Sequence, residues 1–102
     1  MLKNFRTYEM AVEFHKEAEK TPVPSYLRDQ WLRASSSIVL NLGEGYGKFS
    51  RKDKARIYQI AFGSLRECQS ILDLNERAGG KVISMADALA ASLYRLIQAM
   101  QK

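Results

Sequence analysis

The chain of 102 residues holds one cysteine, one histidine, one tryptophan and two prolines. A single cysteine cannot close an internal disulfide or build a Cys-rich zinc site. One histidine removes the paired Glu-x-x-His ligands of a di-iron bundle, and nothing else in the chain calls for a metal or a cofactor. No apolar run reaches the ~20 residues that span a bilayer, and the segment up to Lys20 is too charged for a secretory leader. The expectation is a cytoplasmic protein with no membrane partner. Few prolines and a 3.6-residue apolar period argue against a β fold.

What is present is a globular balance of 46% hydrophobic and 26% charged residues, enough to bury a core in one domain. The formal charge is +5, and it is unevenly spread. Residues 48–56 carry Lys48, Arg51, Lys52, Lys54 and Arg56 against Asp53 alone, a net +4 that leaves +1 for the rest of the chain. Positive charge gathered in one short segment points to an anionic partner, and its bland rival is a solvated helix start.

The periodicity predicts an all-α, up-down-up-down bundle of four helices over about 5–20, 26–46, 51–77 and 85–101, in a single domain 1–102 with short loops. In the first helix Phe5, Tyr8, Ala11, Val12, His15 and Ala18 share a face. Thr21-Pro22-Val23-Pro24 breaks it, and Ser25 is placed to cap the second helix. The second helix has the stripe Leu27, Trp31, Ala34, Ile38, Leu42, with Leu40 on its polar side. Gly43-Glu44-Gly45-Tyr46-Gly47 ends it with the backbone freedom of glycine. Ser50 with Asp53 opens the third helix as a variant capping box. That helix has a broad arc: Ile57, Tyr58, Ile60, Ala61, Phe62, Leu65, Cys68, Ile71, Leu72. Ala78-Gly79-Gly80 reads as a stop, and Ser84 with Asp87 as the next cap. The last helix shows Met85, Leu89, Leu93, Leu96 and Met100 on one stripe, with Ala90, Tyr94 and Ile97 beside it.

An antiparallel pairing of the middle helices about their loop brings level residues whose numbers sum to about 97. Ala34 then meets Gly63 and Ser35 lies near Ser64, so small residues allow a close approach. The same register puts Asn41 opposite Arg56 and Glu44 near Asp53 and Lys54. Gly43 to Lys48 misses the phosphate-loop pattern, which needs one more residue between its glycines and a preceding strand. A serine nucleophile in Ser35-Ser36-Ser37 lacks a base in this reading. Cys68 reads as a small buried hydrophobe, His15 as a packed residue with a hydrogen bond. Trp31, Tyr26 and Tyr58 are the aromatics weighed for stacking on bases.

Ser36-Ser37-Ile38-Val39-Leu40-Asn41-Leu42-Gly43-Glu44-Gly45-Tyr46-Gly47, followed by Ile60-Ala61-Phe62-Gly63-Ser64-Leu65-Arg66-Glu67, resembles the small bacterial proteins first noticed in intervening sequences of 23S ribosomal RNA genes. Ser37, Ile38, Asn41, Glu44, Gly45, Gly63, Ser64 and Glu67 match that family's pattern. Val39 stands where it usually has Pro and Gly43 where it usually has Ala. The resemblance implies a four-helix bundle, a homopentameric ring and no known enzymatic activity. For relatives in diversity-generating retroelements it implies binding of nucleic acid and of a reverse transcriptase.

The function expected is a non-enzymatic oligomeric module that binds RNA or DNA phosphates through Lys48, Arg51, Lys52, Lys54 and Arg56. Phosphate contacts position a ligand without reading sequence. The alternative is a scaffold ring that recruits a protein with an acidic surface. Leu40, Ala90, Tyr94 and Ile97 are the apolar residues left over for the interface between copies.

Overall fold

The computed structural model describes residues 5–102. Four α-helices form the expected up-down-up-down bundle: α1 (Arg6–Lys20), α2 (Arg28–Tyr46), α3 (Arg51–Leu74) and α4 (Gly80–Met100). A single 3-10 turn, Ser25–Leu27, leads into α2. The most extensive packing is between α2 and α3, and each helix also meets its neighbours around the bundle. One end therefore gathers the start of α1, the α2–α3 turn and the end of α4. The other gathers the α1–α2 linker and the α3–α4 connection.

The core runs the length of the bundle. Trp31, Phe14, Ile38, Leu42, Leu65, Leu89 and Leu93 are fully buried, each worth roughly 1.5–3 kcal/mol if completely removed from water. Trp31 stands edge-on to Phe14 at 6.0 Å, and its indole N–H donates to the Ala18 carbonyl at 2.9 Å. The stripe of α1 differs from the expected face. Thr7, Ala11, Phe14 and Ala18 are buried, while Tyr8, Val12 and His15 flank them. Phe14 is thus the anchor of α1, and Thr7 at its margin shares a 2.7 Å hydrogen bond with Ser92 of α4.

Ser50 caps α3 as expected, its Oγ accepting from the Asp53 N–H at 3.0 Å. Three other boundaries shift. Ser25 makes no capping bond and sits in the 3-10 turn, so α2 begins at Arg28. α3 stops at Leu74 because Asn75 turns the chain. The Asn75 Nδ2 donates to the Pro22 carbonyl at 2.7 Å, and its Oδ1 accepts from the Arg77 N–H at 3.2 Å. α4 begins at Gly80, not near Ser84. Gly79-Gly80 opens the helix, and Val82 and Ala86 in its first turns are core residues, whose burial outweighs the capping preference of Ser84.

Candidate nucleic-acid interface

The basic segment forms the α2–α3 turn and the first turns of α3. The end of α2 is not a left-handed glycine. Gly47 has φ −79°, and the helix tightens instead through Gly47 N–H to Glu44 O and Lys48 N–H to Gly45 O, both 3.1 Å. The required glycine is Gly45: a Cβ there would lie 2.6 Å from Tyr58 Cε1. Tyr58 is itself buried, which raises its hydroxyl pKa, with the neighbouring Tyr46 adding to the rise. Phe5 stacks on Tyr46 with centroids 5.2 Å apart and tilts against Tyr58 at 6.1 Å. An aromatic floor thus supports the turn.

Three of the five cations are held by the fold. Lys48 lies 4.0 Å from the Glu44 carboxylate. Lys54 donates to the Tyr46 carbonyl at 2.7 Å and sits 5.4 Å above the Tyr46 ring. Arg51 donates to the Ala99 carbonyl, tying α3 to the last turn of α4. Lys54 and Arg51 therefore satisfy carbonyls at two helix C-termini, where cations are favoured. Their acceptors are neutral groups, so their formal charge survives; only Lys48 faces a carboxylate. Lys52 and Arg56 stand one turn apart on the exposed face of α3. With Gln59, Met100 and Lys102 they line an open groove that also includes Asp53.

The residues of the motif gather along the outer seam of α2 and α3. Ser37 Oγ and Ser64 Oγ share a 2.9 Å hydrogen bond, and Asn41 Nδ2 donates to Ser37 O at 2.9 Å and Ser37 Oγ at 3.0 Å. Gln30 Nε2 donates to Glu67 at 2.7 Å. The serine pair and Gln30–Glu67 tie α2 to α3, and the Asn41 bonds lie within α2; Gln30–Glu67 keeps the expected register, while Ser37–Ser64 departs from it by about one turn near the middle of the seam. Ser37, not Ser35, lies against Ser64. Gly63 is exposed with open space where a Cβ would stand, so it is not the point of close approach. Asn41 bonds within α2 and not to Arg56, and Glu44 pairs with Lys48 and not with the start of α3.

His15 Nδ1 and Ser35 Oγ are 2.7 Å apart, and His15 Nε2 lies 3.8 Å from Glu19. A base therefore does stand beside Ser35, contrary to the expectation. Ser35 is fully buried and also hydrogen-bonds the Leu32 carbonyl at 3.2 Å, so no substrate carbonyl reaches its oxygen. The pair stitches α1 to α2. Cys68 is buried as expected, and burial, with the nearby Glu67 contributing, pushes its thiol up to about 12. Among the described residues no three His, Cys, Asp or Glu side chains gather as metal ligands, and no helix is long and apolar enough to cross a membrane.

The aromatics weighed for stacking are rearranged. Trp31 and Tyr58 are core residues, while Tyr26 is 78% exposed but lies at the opposite end of α2. Over 19 residues that separates it by about 28 Å at 1.5 Å per residue. The residue missed from sequence is Phe49, fully exposed in the basic turn itself. Of the apolar residues assigned to an interface, Leu40 and Tyr94 are 69% and 54% exposed. Ile97 is buried in the bundle's own core and Ala90 packs partly against it. Both leave the exposed line, because α4 presents Val82, Ala86, Leu89, Leu93 and Ile97 inward. Ile60 takes their place among exposed apolar residues.

The family model described as 23S rRNA-intervening sequence protein matches residues 3–102. The chain belongs to that family. No curated protein and no solved structure matches it.

Proposed function

We propose that this member of the 23S rRNA-intervening sequence protein family is a non-enzymatic, cytoplasmic nucleic-acid-binding module. Its basic end would grip RNA or DNA phosphates. The observation that carries this reading is the net +4 of residues 48–56 held at one end of a rigid bundle. Arg51 and Lys54 are fixed on neutral carbonyls, and Lys52 and Arg56 face an open groove with Lys102. A positioned cation loses less side-chain entropy on meeting a phosphate than a free one. Binding of this kind releases counterions and weakens steeply with salt.

The module acts as a homo-oligomer, and by family resemblance as a pentamer. Leu40, Ile60 and Tyr94, all exposed, support an interface between copies. Repeating the basic end around a ring converts weak single contacts into avidity. Retention on heparin or immobilised RNA, with elution by salt, tests the binding. Flow-through at low salt overturns it, and capture of one acidic protein without nucleic-acid retention favours the scaffold alternative. Light scattering after size exclusion tests the assembly: a one-chain mass at micromolar concentration overturns the ring.

A further inference from the structure

We infer that Phe49 is a base-stacking platform and that the basic end selects single-stranded nucleic acid over duplex. This rests on the proposed phosphate-binding function and adds to it the form of the ligand. Phe49 is more exposed than any other large hydrophobic residue described. A lone exposed apolar residue is ordinary, so the inference turns on what surrounds it.

Lys48, Arg51 and Lys52 lie within three positions of Phe49. No aromatic or cationic group of the described residues stacks on its ring. Its neighbour Tyr46 has Phe5 stacked on it and Lys54 over its ring, so Tyr46 is already engaged within the fold. The backbone on each side of Phe49 is pinned. Lys48 N–H bonds to Gly45 O at 3.1 Å, and Ser50 Oγ receives the Asp53 N–H at 3.0 Å. An open aromatic face projects from a fixed turn, beside cations spaced along α3. Aromatic rings flanked by a basic track are how single strands are held without sequence reading, since every base has a π-face. In duplex the bases are already stacked and the ring has no partner.

The test is the anisotropy of a fluorescein-labelled oligo-dT, an oligo-rU and a hairpin duplex, titrated with the parent, Phe49→Ala, Phe49→Trp and Tyr26→Ala proteins at several salt concentrations. Phe49→Ala weakens single-strand binding by about 5- to 150-fold, with the salt slope and duplex affinity unchanged. Phe49→Trp restores binding, and Tyr26→Ala behaves like the parent. If Phe49→Ala binds single strands like the parent while the salt slope remains steep, stacking is refuted and phosphate binding stands. If the parent binds none of the probes at low salt, the proposed function fails and the inference with it. If Phe49→Ala lowers the mass of the assembly by light scattering, the ring packs between copies and the inference is overturned.

Discussion

The two ends of the bundle use similar side chains to opposite purposes. Each has an exposed aromatic, Tyr26 at one and Phe49 at the other, and each has arginines. At the linker end the polar groups are turned inward onto the chain. Arg28 donates to the Thr21 carbonyl at 3.0 Å and the Glu19 carbonyl at 2.9 Å, and Thr21 Oγ1 donates to Glu17 O at 2.8 Å. Asn75 bridges to Pro22, and Lys81 pairs with Glu17 at 3.4 Å. At the basic end Arg51 and Lys54 close helix ends in the same manner, yet Lys52 and Arg56 are presented outward and acids are scarce. What separates a closed end from a candidate interface is the count of uncompensated charges, not the residue types present.

The largest effect that would sharpen this contrast is at Asn75. Asn75 is buried, and its replacement by Ala removes both its bond to the Pro22 carbonyl and its bond from the Arg77 N–H, at a cost of about 1–3 kcal/mol for the two together. A thermal melt would fall by roughly 4–8 °C per kcal/mol for a domain of this size, while nucleic-acid affinity stays at the parent value. Loss of affinity without loss of stability would show that the linker end takes part in binding.

The two motif glycines give the next effects, of opposite sign. Gly45→Val drives a side chain into the buried Tyr58 ring and destabilises by about 1–3 kcal/mol through overpacking. Gly63→Ala places a methyl in open space on an exposed helix and stabilises by up to about 1 kcal/mol. Chemical denaturation midpoints would separate them. A Gly63→Ala variant less stable than the parent would return Gly63 to the helix contact.

These glycines also mark the limit of what was legible in the sequence. Helix number, order and the Ser50 cap followed from period and capping chemistry, because both are local. The α2–α3 register followed only toward the Gln30–Glu67 pair; toward the turn it depends on how Tyr58 fills the space that Gly45 leaves, and that is a contact across helices. Ser84 with Asp87 looked like a helix start, but the apolar demand of Val82 and Ala86 carried α4 back to Gly80. The basic segment was visible as a charge run. Its division into structural cations, Arg51 and Lys54, and outward ones, Lys52 and Arg56, was not, because it depends on carbonyls supplied by other helices. Phe49 belongs to no periodic stripe, so only its exposure reveals it.

The core between the ends gives the smallest effect at neutral pH. Cys68, its thiol pushed from 9.0 to about 12, is neutral in both folded and unfolded chains at neutral pH, and the unfolded thiol is half ionised at pH 9. Above that the unfolded thiol ionises first, so stability falls with rising pH toward 12, by up to about 1.4 kcal/mol per unit. Tyr58 acts in the same direction at higher pH. Denaturant midpoints on either side of pH 9, compared with Cys68→Val, should show the variant losing less. Equal losses would mean that the thiol reaches water in the folded protein.

The central claim is that outward-facing cations at the basic end bind phosphates, and the salt dependence of affinity tests it most directly. Lys52→Gln with Arg56→Gln alters only exposed side chains, so stability should stay within about 0.5 kcal/mol of the parent. Each lost phosphate contact removes roughly 0.7–0.9 from the slope of log affinity against log salt. The double variant should therefore bind RNA and DNA with a slope shallower by about 1.4–1.8, whereas slopes that coincide across the salt range would contradict a phosphate-binding role for these residues.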